Sequence, residues 1–312
     1  MLSNKKNPQI LSAFYVSFAA SLWAFDGIVF RPFLYNLPVP LVVFIESTIV
    51  TIVLAPVIIR YRSDIIKLNL IDWISFILVA VFGGAVGTMA ITKALFYVNY
   101  VNLSIVVFIQ KLQPVFAISL AAILLKEKLS KTFVIWSTTA IIGAYIVAFG
   151  FNFPLIGGSE KTFEATLFAL IAAFSFGAST VFSKRALKNV SFELGTYLRF
   201  SITSIIMLIV VLISSSYNSI FDISGSQVIV FFLIAFSTGG PAILVYYYGL
   251  KNLNASVATI CELMFPLTAV ILEYFVHDKI LSLAQWFGAI LLIVSILKVS
   301  GINFYLSKKQ NH

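Results

Sequence analysis

Of the chain's 312 residues 60% are apolar and 11% charged, and the mean hydropathy is +1.02, whereas a soluble domain carries about 25% charged residues. This excludes a water-soluble globule, and apolar runs of roughly 20 residues without period-two alternation exclude an outer-membrane barrel. The net charge of +9 lies between the apolar runs, which excludes a nucleic-acid-binding face.

The apolar runs predict membrane-spanning helices over 9–30, 40–59, 73–92, 103–125 and 133–151, then 163–182, 194–213, 228–248, 255–276 and 281–299. The first holds Trp23 and Asp26 and is too long, with no small-residue cleavage site behind it, to be a signal peptide. The second holds Glu46, and the third carries Gly83-x-x-x-Gly87, spaced for close helix packing. Tyr97 follows, and the fourth span contains Gln110, Lys111, Gln113 and Pro114. In the second half, Arg199 lies in the seventh span, Tyr246 and Tyr247 in the eighth, and Glu262 and Pro266 in the ninth.

Positive residues stay on the cytoplasmic side of a membrane. Fourteen Lys and Arg residues fall on one side of this arrangement, among them Lys5, Lys6, Arg60, Arg62, Lys184 and Arg185, against four, Arg31, Lys93, Lys161 and Lys279, on the other. The expected placement is therefore a multi-pass protein of the cytoplasmic (inner) membrane with both termini cytoplasmic. From the third span onward the halves align at an offset of 152 residues, with Gly87 on Gly239, Ser104 on Ser256, Pro114 on Pro266 and Leu129 on Leu281. The expected fold is all-α and transmembrane: ten helices as two inverted five-helix repeats, over 1–153 and 154–312. Inverted repeats characterise transporters that alternate access around a midplane site.

The segments Asn102 to Gly143 (with Gln113-Pro114-Val115-Phe116-Ala117 and Lys126-Glu127-Lys128-Leu129-Ser130) and Asn254 to Ser295 resemble the EamA-type repeat of the drug/metabolite transporter superfamily. Leu22-Trp23-Ala24 and Leu198-Arg199-Phe200 fit the same pattern. The resemblance implies a ten-helix transporter of a small molecule, the family's members moving amino acids, sugars, nucleotide sugars, amines and drugs. Two departures stand out: Glu46 occupies a place where the family's first repeat commonly has a basic residue, and Asp278-Lys279 replaces the usual Glu-Lys or Glu-Arg.

A charge within hydrocarbon costs about 2.5–3.5 kcal/mol on insertion scales, so each one is a functional hypothesis. Lys111 and Glu262 enter from opposite faces to depths of roughly 12–14 Å, near the midplane. Either they form a structural salt bridge, or they face a wet cavity and receive the opposite ends of a polar metabolite. Gln110 and Gln113 give the fourth span a polar face, and the repeated prolines, Pro114 and Pro266, predict kinks beside a cavity. Trp23, Tyr97, Tyr246 and Tyr247 offer aromatic surface for a substrate. Asp26 and Glu46, with Arg31 and Lys93 nearby, suggest an outer gate, and Ser179, Lys184 and Arg199 an inner one.

The loops hold no Gly-Lys-Ser/Thr phosphate loop, which favours secondary over ATP-driven transport. Asp26, Glu46 and Glu262 are the candidates for coupling to a proton; exchange against a counter-substrate needs none of them. One cysteine, Cys261, and two histidines, His277 and His312, leave no basis for a metal or acid–base centre, so neither a cofactor nor an enzyme is expected. The partners expected are a small-molecule substrate and the lipid bilayer. Charge economy puts an amino-acid-like, zwitterionic or cationic substrate first. The alternatives are a nucleotide-like or sulfonium metabolite, drug efflux, or a non-transporting scaffold.

Overall fold

A computed structural model describes residues 8–95, 97, 103–152, 160–277 and 280–301. Lys5, Lys6, Asn102, Asp278, Lys279 and His312 lie outside the described residues, as does most of the 152–162 loop. The described residues are helical and contain no β-strand. The helices are α1 (Pro8–Leu34), α2 (Val39–Val53), α3 (Leu70–Leu95), α4 (Leu103–Gln110 with Gln113–Leu124) and α5 (Lys131–Phe149). The second half has α6 (Glu160–Ala186), α7 (Phe192–Ile213), α8 (Gly225–Lys251), α9 (Ala255–Cys261 with Met264–His277) and α10 (Leu283–Val299). Among the described residues seven helices are long and apolar enough to cross a membrane; α2, α4 and α10 are apolar but shorter. The chain is a multi-pass membrane protein.

Several helix starts are set by side-chain caps. Asn69 and Asp72 form a capping box at α3, as do Ser224 with Gln227 at α8 and Ser282 with Gln285 at α10. The second apolar run ends as a helix at Val53, six residues before its apolar stretch does, and re-forms as the short helix Pro56–Arg60. Pro56 has no N–H to give to the turn before it.

The kinks predicted at the two prolines are present. Pro114 cannot donate to Gln110, nor Pro266 to Glu262, so α4 breaks after Gln110 and α9 after Cys261. Tighter bonds replace the lost ones: Leu112 N–H donates to Ile109 O at 3.1 Å and Leu263 N–H to Ile260 O at 3.1 Å. Three π-helical turns were not anticipated: Asp26–Phe30 in α1, Ala80–Val86 in α3 and Ala235–Gly239 in α8.

α1 packs on α8 and α9, α6 on α3 and α4, and α2 on α7. α5 and α10 run antiparallel, with Gln285 near the start of α10 donating to Val147 O near the end of α5 at 3.0 Å. Their backbones approach closely because neither residue at the contact has a side chain: a Cβ on Gly143 would lie 2.9 Å from Leu292 N, and one on Gly288 would lie 2.8 Å from Val147 N. The third-span glycines also serve packing, since a Cβ on Gly84 would meet the Thr203 hydroxyl at 2.2 Å.

Candidate functional site

The other eight helices surround a cavity of about 260 Å³, and α5 and α10 take no part in its wall. Small-ligand sites run to roughly 300–1,000 Å³, so this one stands just below that range. All three π-helical turns reach it: Asp26 and Gly27 from the first, Gly83 and Gly84 from the second, Ala235, Thr238 and Gly239 from the third. A π turn carries one surplus residue and re-aims its neighbours, which is why such turns gather at functional sites.

The break in α9 places Glu262 at the cavity wall, 6% exposed. Its Oε1 accepts from the Tyr246 hydroxyl at 2.7 Å and from Thr180 Oγ1 at 3.2 Å, and its Oε2 accepts from the Gln113 amide. Gln110 in turn donates to Gln113 Oε1 at 3.5 Å. Lys111 stands at the matching break in α4 and is 7% exposed. It makes no ion pair with Glu262 and no hydrogen bond among the described residues; its ammonium lies 3.7 Å from the centre of the Phe265 ring. The salt-bridge alternative for this pair is therefore not what the structure holds.

A second charged group lies at the α1 end of the cavity. Arg31 pairs with Asp26 through Nη2 and also donates to it from Nε at 3.2 Å, while its Nη1 is 3.0 Å from Glu46 Oε1. Asp26, Arg31 and Glu46 are thus joined, but Lys93 is not: it is exposed, with its ammonium 5.8 Å from the Tyr97 ring centre. Arg199 also faces the cavity and donates to Tyr247 OH and to Gly83 O, each at 3.4 Å. The cavity is thus lined by Arg199 as well as Lys111 and Arg31 among the span cations. Ser179 lines the cavity beside Arg199, whereas Lys184 is turned away to donate to Leu250 O and Lys251 O.

Of the predicted aromatic residues, Trp23 and Tyr246 line the cavity and lie against each other with ring centres 5.2 Å apart. Tyr97 does not line it; its hydroxyl is hydrogen-bonded to Glu164, which raises its pKa above the usual phenol value. Tyr247 is fully buried in the core and bonds Ser183 Oγ at 3.0 Å. Pro114 and Pro266 shape the breaks without lining the space. Phe176 and Phe265, unremarked in the sequence, and Phe200, noted there only as part of the family pattern, complete the aromatic wall. A single Phe among thirty gives no sequence signal of its own.

The model of the EamA-like transporter family matches residues 10–149 and again 164–301. The chain belongs to the EamA-like transporter family. It is a membrane transporter and not an enzyme. Its relatives include the riboflavin transporter ImpX of Fusobacterium nucleatum subsp. nucleatum, 43% identical over 295 residues, which are 94% of this chain and 99% of that protein. The uncharacterised transporter sll1164 of Synechocystis is 26% identical over 236 residues, 73% of this chain and 65% of its own length. A solved crystal structure at 17% identity superposes with a TM-score of 0.71 over 93% of this chain and 96% of its own, a likeness of fold. As an EamA-like transporter the chain binds a small-molecule metabolite within the membrane.

Proposed function

We propose that this EamA-like transporter carries riboflavin or a closely similar flavin through the cavity between α1–α4 and α6–α9. The observation that carries this reading is the 43% identity, over nearly the full length of both chains, with a protein named as a riboflavin transporter. The cavity is compatible with it. Trp23, Phe176, Phe200, Tyr246 and Phe265 supply apolar faces for a planar ring, and Lys111, Thr203 and Thr238 supply polar edges. An amino-acid-like substrate suits the geometry less well, because a substrate amine would have to displace the donors already on Glu262.

On this reading ten helices span the bilayer, with the halves inverted. In support, each half contributes a proline-broken helix, α4 or α9, and the partners of α6 (α3 and α4) mirror those of α1 (α8 and α9). The antiparallel α5–α10 pair is what inversion of a five-helix unit requires. Both termini are cytoplasmic, the charge bias being the support for it. Opening would alternate about the cavity, whose walls run from Thr92, Leu95 and Arg31 at one end to Ser179, Arg199 and Tyr246. Beyond that second end Tyr247, Leu187, Leu194 and Leu250 close the packing, and Asp72 accepts from Asn189 at 3.1 Å. Asp26, Glu46 and Arg199 are the gating or coupling groups, a proton or a counter-substrate being the coupled species.

Purified protein in liposomes should take up labelled riboflavin with saturable kinetics. The absence of saturable flavin uptake, with amino acids exchanged instead, would reject the proposal. A Ser159→Cys label in a Cys261→Ser background should react from outside; labelling only after the cytoplasmic face is opened would reject the orientation.

A further inference from the structure

The ammonium of Lys111 is the feature the fold itself does not use. It is 93% buried, taking its 7% exposure from the whole, and lines the cavity. Among the described residues none accepts a hydrogen bond from its three N–H groups. Phe265 meets the charge with its ring face at 3.7 Å, and three N–H groups are more than one ring face can satisfy. A buried donor set without acceptors costs stability unless something entering the site completes it.

Two neutral groups repeat the pattern. The hydroxyls of Thr203 and Thr238, 2% exposed each, line the same cavity without a hydrogen-bond partner. Glu262 is the opposite case, with three donors already in place. The wall also carries acceptors without a hydrogen-bond partner, Asp26 Oδ1 and Glu46 Oε1, but these belong to the Arg31 group at the α1 end, away from the break in α4 where Lys111 stands. The wall's formal charges balance, Asp26, Glu46 and Glu262 against Arg31, Lys111 and Arg199. An uncharged substrate keeps that balance, and a phosphorylated one would upset it.

Resting on the flavin reading above, we infer that Lys111 is the specificity-determining contact for the substrate's ring, donating to the carbonyl oxygens on its pyrimidinedione edge. The substrate class is then an uncharged planar heterocycle with acceptors along one edge, and a phosphate on the sugar-like arm is disfavoured. The Phe265 face below the ammonium holds it in place when the cavity is empty.

The test is equilibrium binding by flavin fluorescence to purified wild type, Lys111→Met and Lys111→Gln, with the thermal midpoint of each recorded to establish folding. Riboflavin, its ring-only analogue lumichrome and the phosphorylated flavin FMN are the ligands. Wild type should bind riboflavin and lumichrome and bind FMN more weakly. Lys111→Met should weaken riboflavin and lumichrome alike, on the order of tenfold to hundredfold, the size of a hydrogen bond from a charged group. Lys111→Gln, which keeps a donor, should recover part of the loss. If folded Lys111→Met binds both ring compounds as wild type does, the inference fails and the transport reading stands. If FMN binds best and loses its advantage in Lys111→Met, the site is an anion site and the inference fails. Wild type that binds no flavin at all removes both readings.

Discussion

Replacing Tyr246 by Phe isolates the hydroxyl, because the ring that lines the cavity and lies 5.2 Å from Trp23 is retained while the contacts of the hydroxyl with Glu262 and, at 3.1 Å, with Thr180 Oγ1 are lost. That hydroxyl is the shortest ordinary donor to Glu262, 2.7 Å from Oε1, and Thr180 is the other donor to the same oxygen at 3.2 Å. A buried hydrogen bond of this kind contributes about 1–3 kcal/mol, the upper part of that range applying when the acceptor is charged. The loss should stay in that range, since Thr180 and Gln113 remain on the carboxyl. Thermal unfolding in detergent would measure it as a fall of several degrees, and binding would report whether the displaced carboxyl narrows the site. A double-mutant cycle with Glu262→Leu, which removes the acceptor, then apportions the energy. If Tyr246→Phe costs as much in the Glu262→Leu background as in wild type, the hydroxyl does not act through Glu262 and the reasoning is refuted.

Arg31→Ala strands two carboxyl groups at once and should destabilise by an amount toward the lower end of about 3–5 kcal/mol, because the group faces the cavity; an unchanged unfolding midpoint would contradict this. Additional removal of both carboxyls, in Asp26→Asn/Glu46→Gln, should restore part of the stability. Gly288→Ala should destabilise by about 1–3 kcal/mol with flux per folded molecule unchanged, since its Cβ would press on the α5 backbone remote from the cavity; a loss of substrate affinity at normal stability would count against it. Asp72→Ala removes the acceptor for Asn189 and Arg185 where α3 meets α6, and proteolysis or labelling at that end should rise. Equal accessibility in mutant and wild type would show that the contact does not hold this end closed.

Hydropathy makes the membrane helices legible because burial in lipid is read out by composition alone, and the prolines announce the breaks at 111 and 262 because a missing N–H acts locally. What could not be read is set by geometry between distant segments. Lys111 and Glu262 are separated by 151 positions, and nothing in their local sequences says whether they touch or share a cavity while bonding to other groups. Arg31 could be grouped with Asp26 and Glu46 from their shared span ends, but so could Lys93, and only the fold shows that Arg31 pairs with both carboxyls while Lys93 lies against Tyr97. Tyr97 and Tyr247 have the same side chain as Tyr246, and only the rotation of each helix decides which ring faces the cavity and which faces Glu164 or Ser183. The π turns escaped notice because they depend on packing around residues such as Gly83 and Thr238.

One of those turns limits which changes of length the chain can tolerate. The turn Ala235–Gly239 holds a surplus residue, so removing one position there, Phe236 for instance, lets the helix close into regular α geometry. A deletion in the regular stretch beyond it, Ile243 for instance, has no surplus residue to give up and would rotate everything after it by about 100° relative to what comes before. Tyr246 would then swing off Glu262 and out of register with Trp23, although neither residue had been altered. Point substitutions can retune this wall one contact at a time; an insertion or deletion outside such a turn re-indexes a whole half-helix.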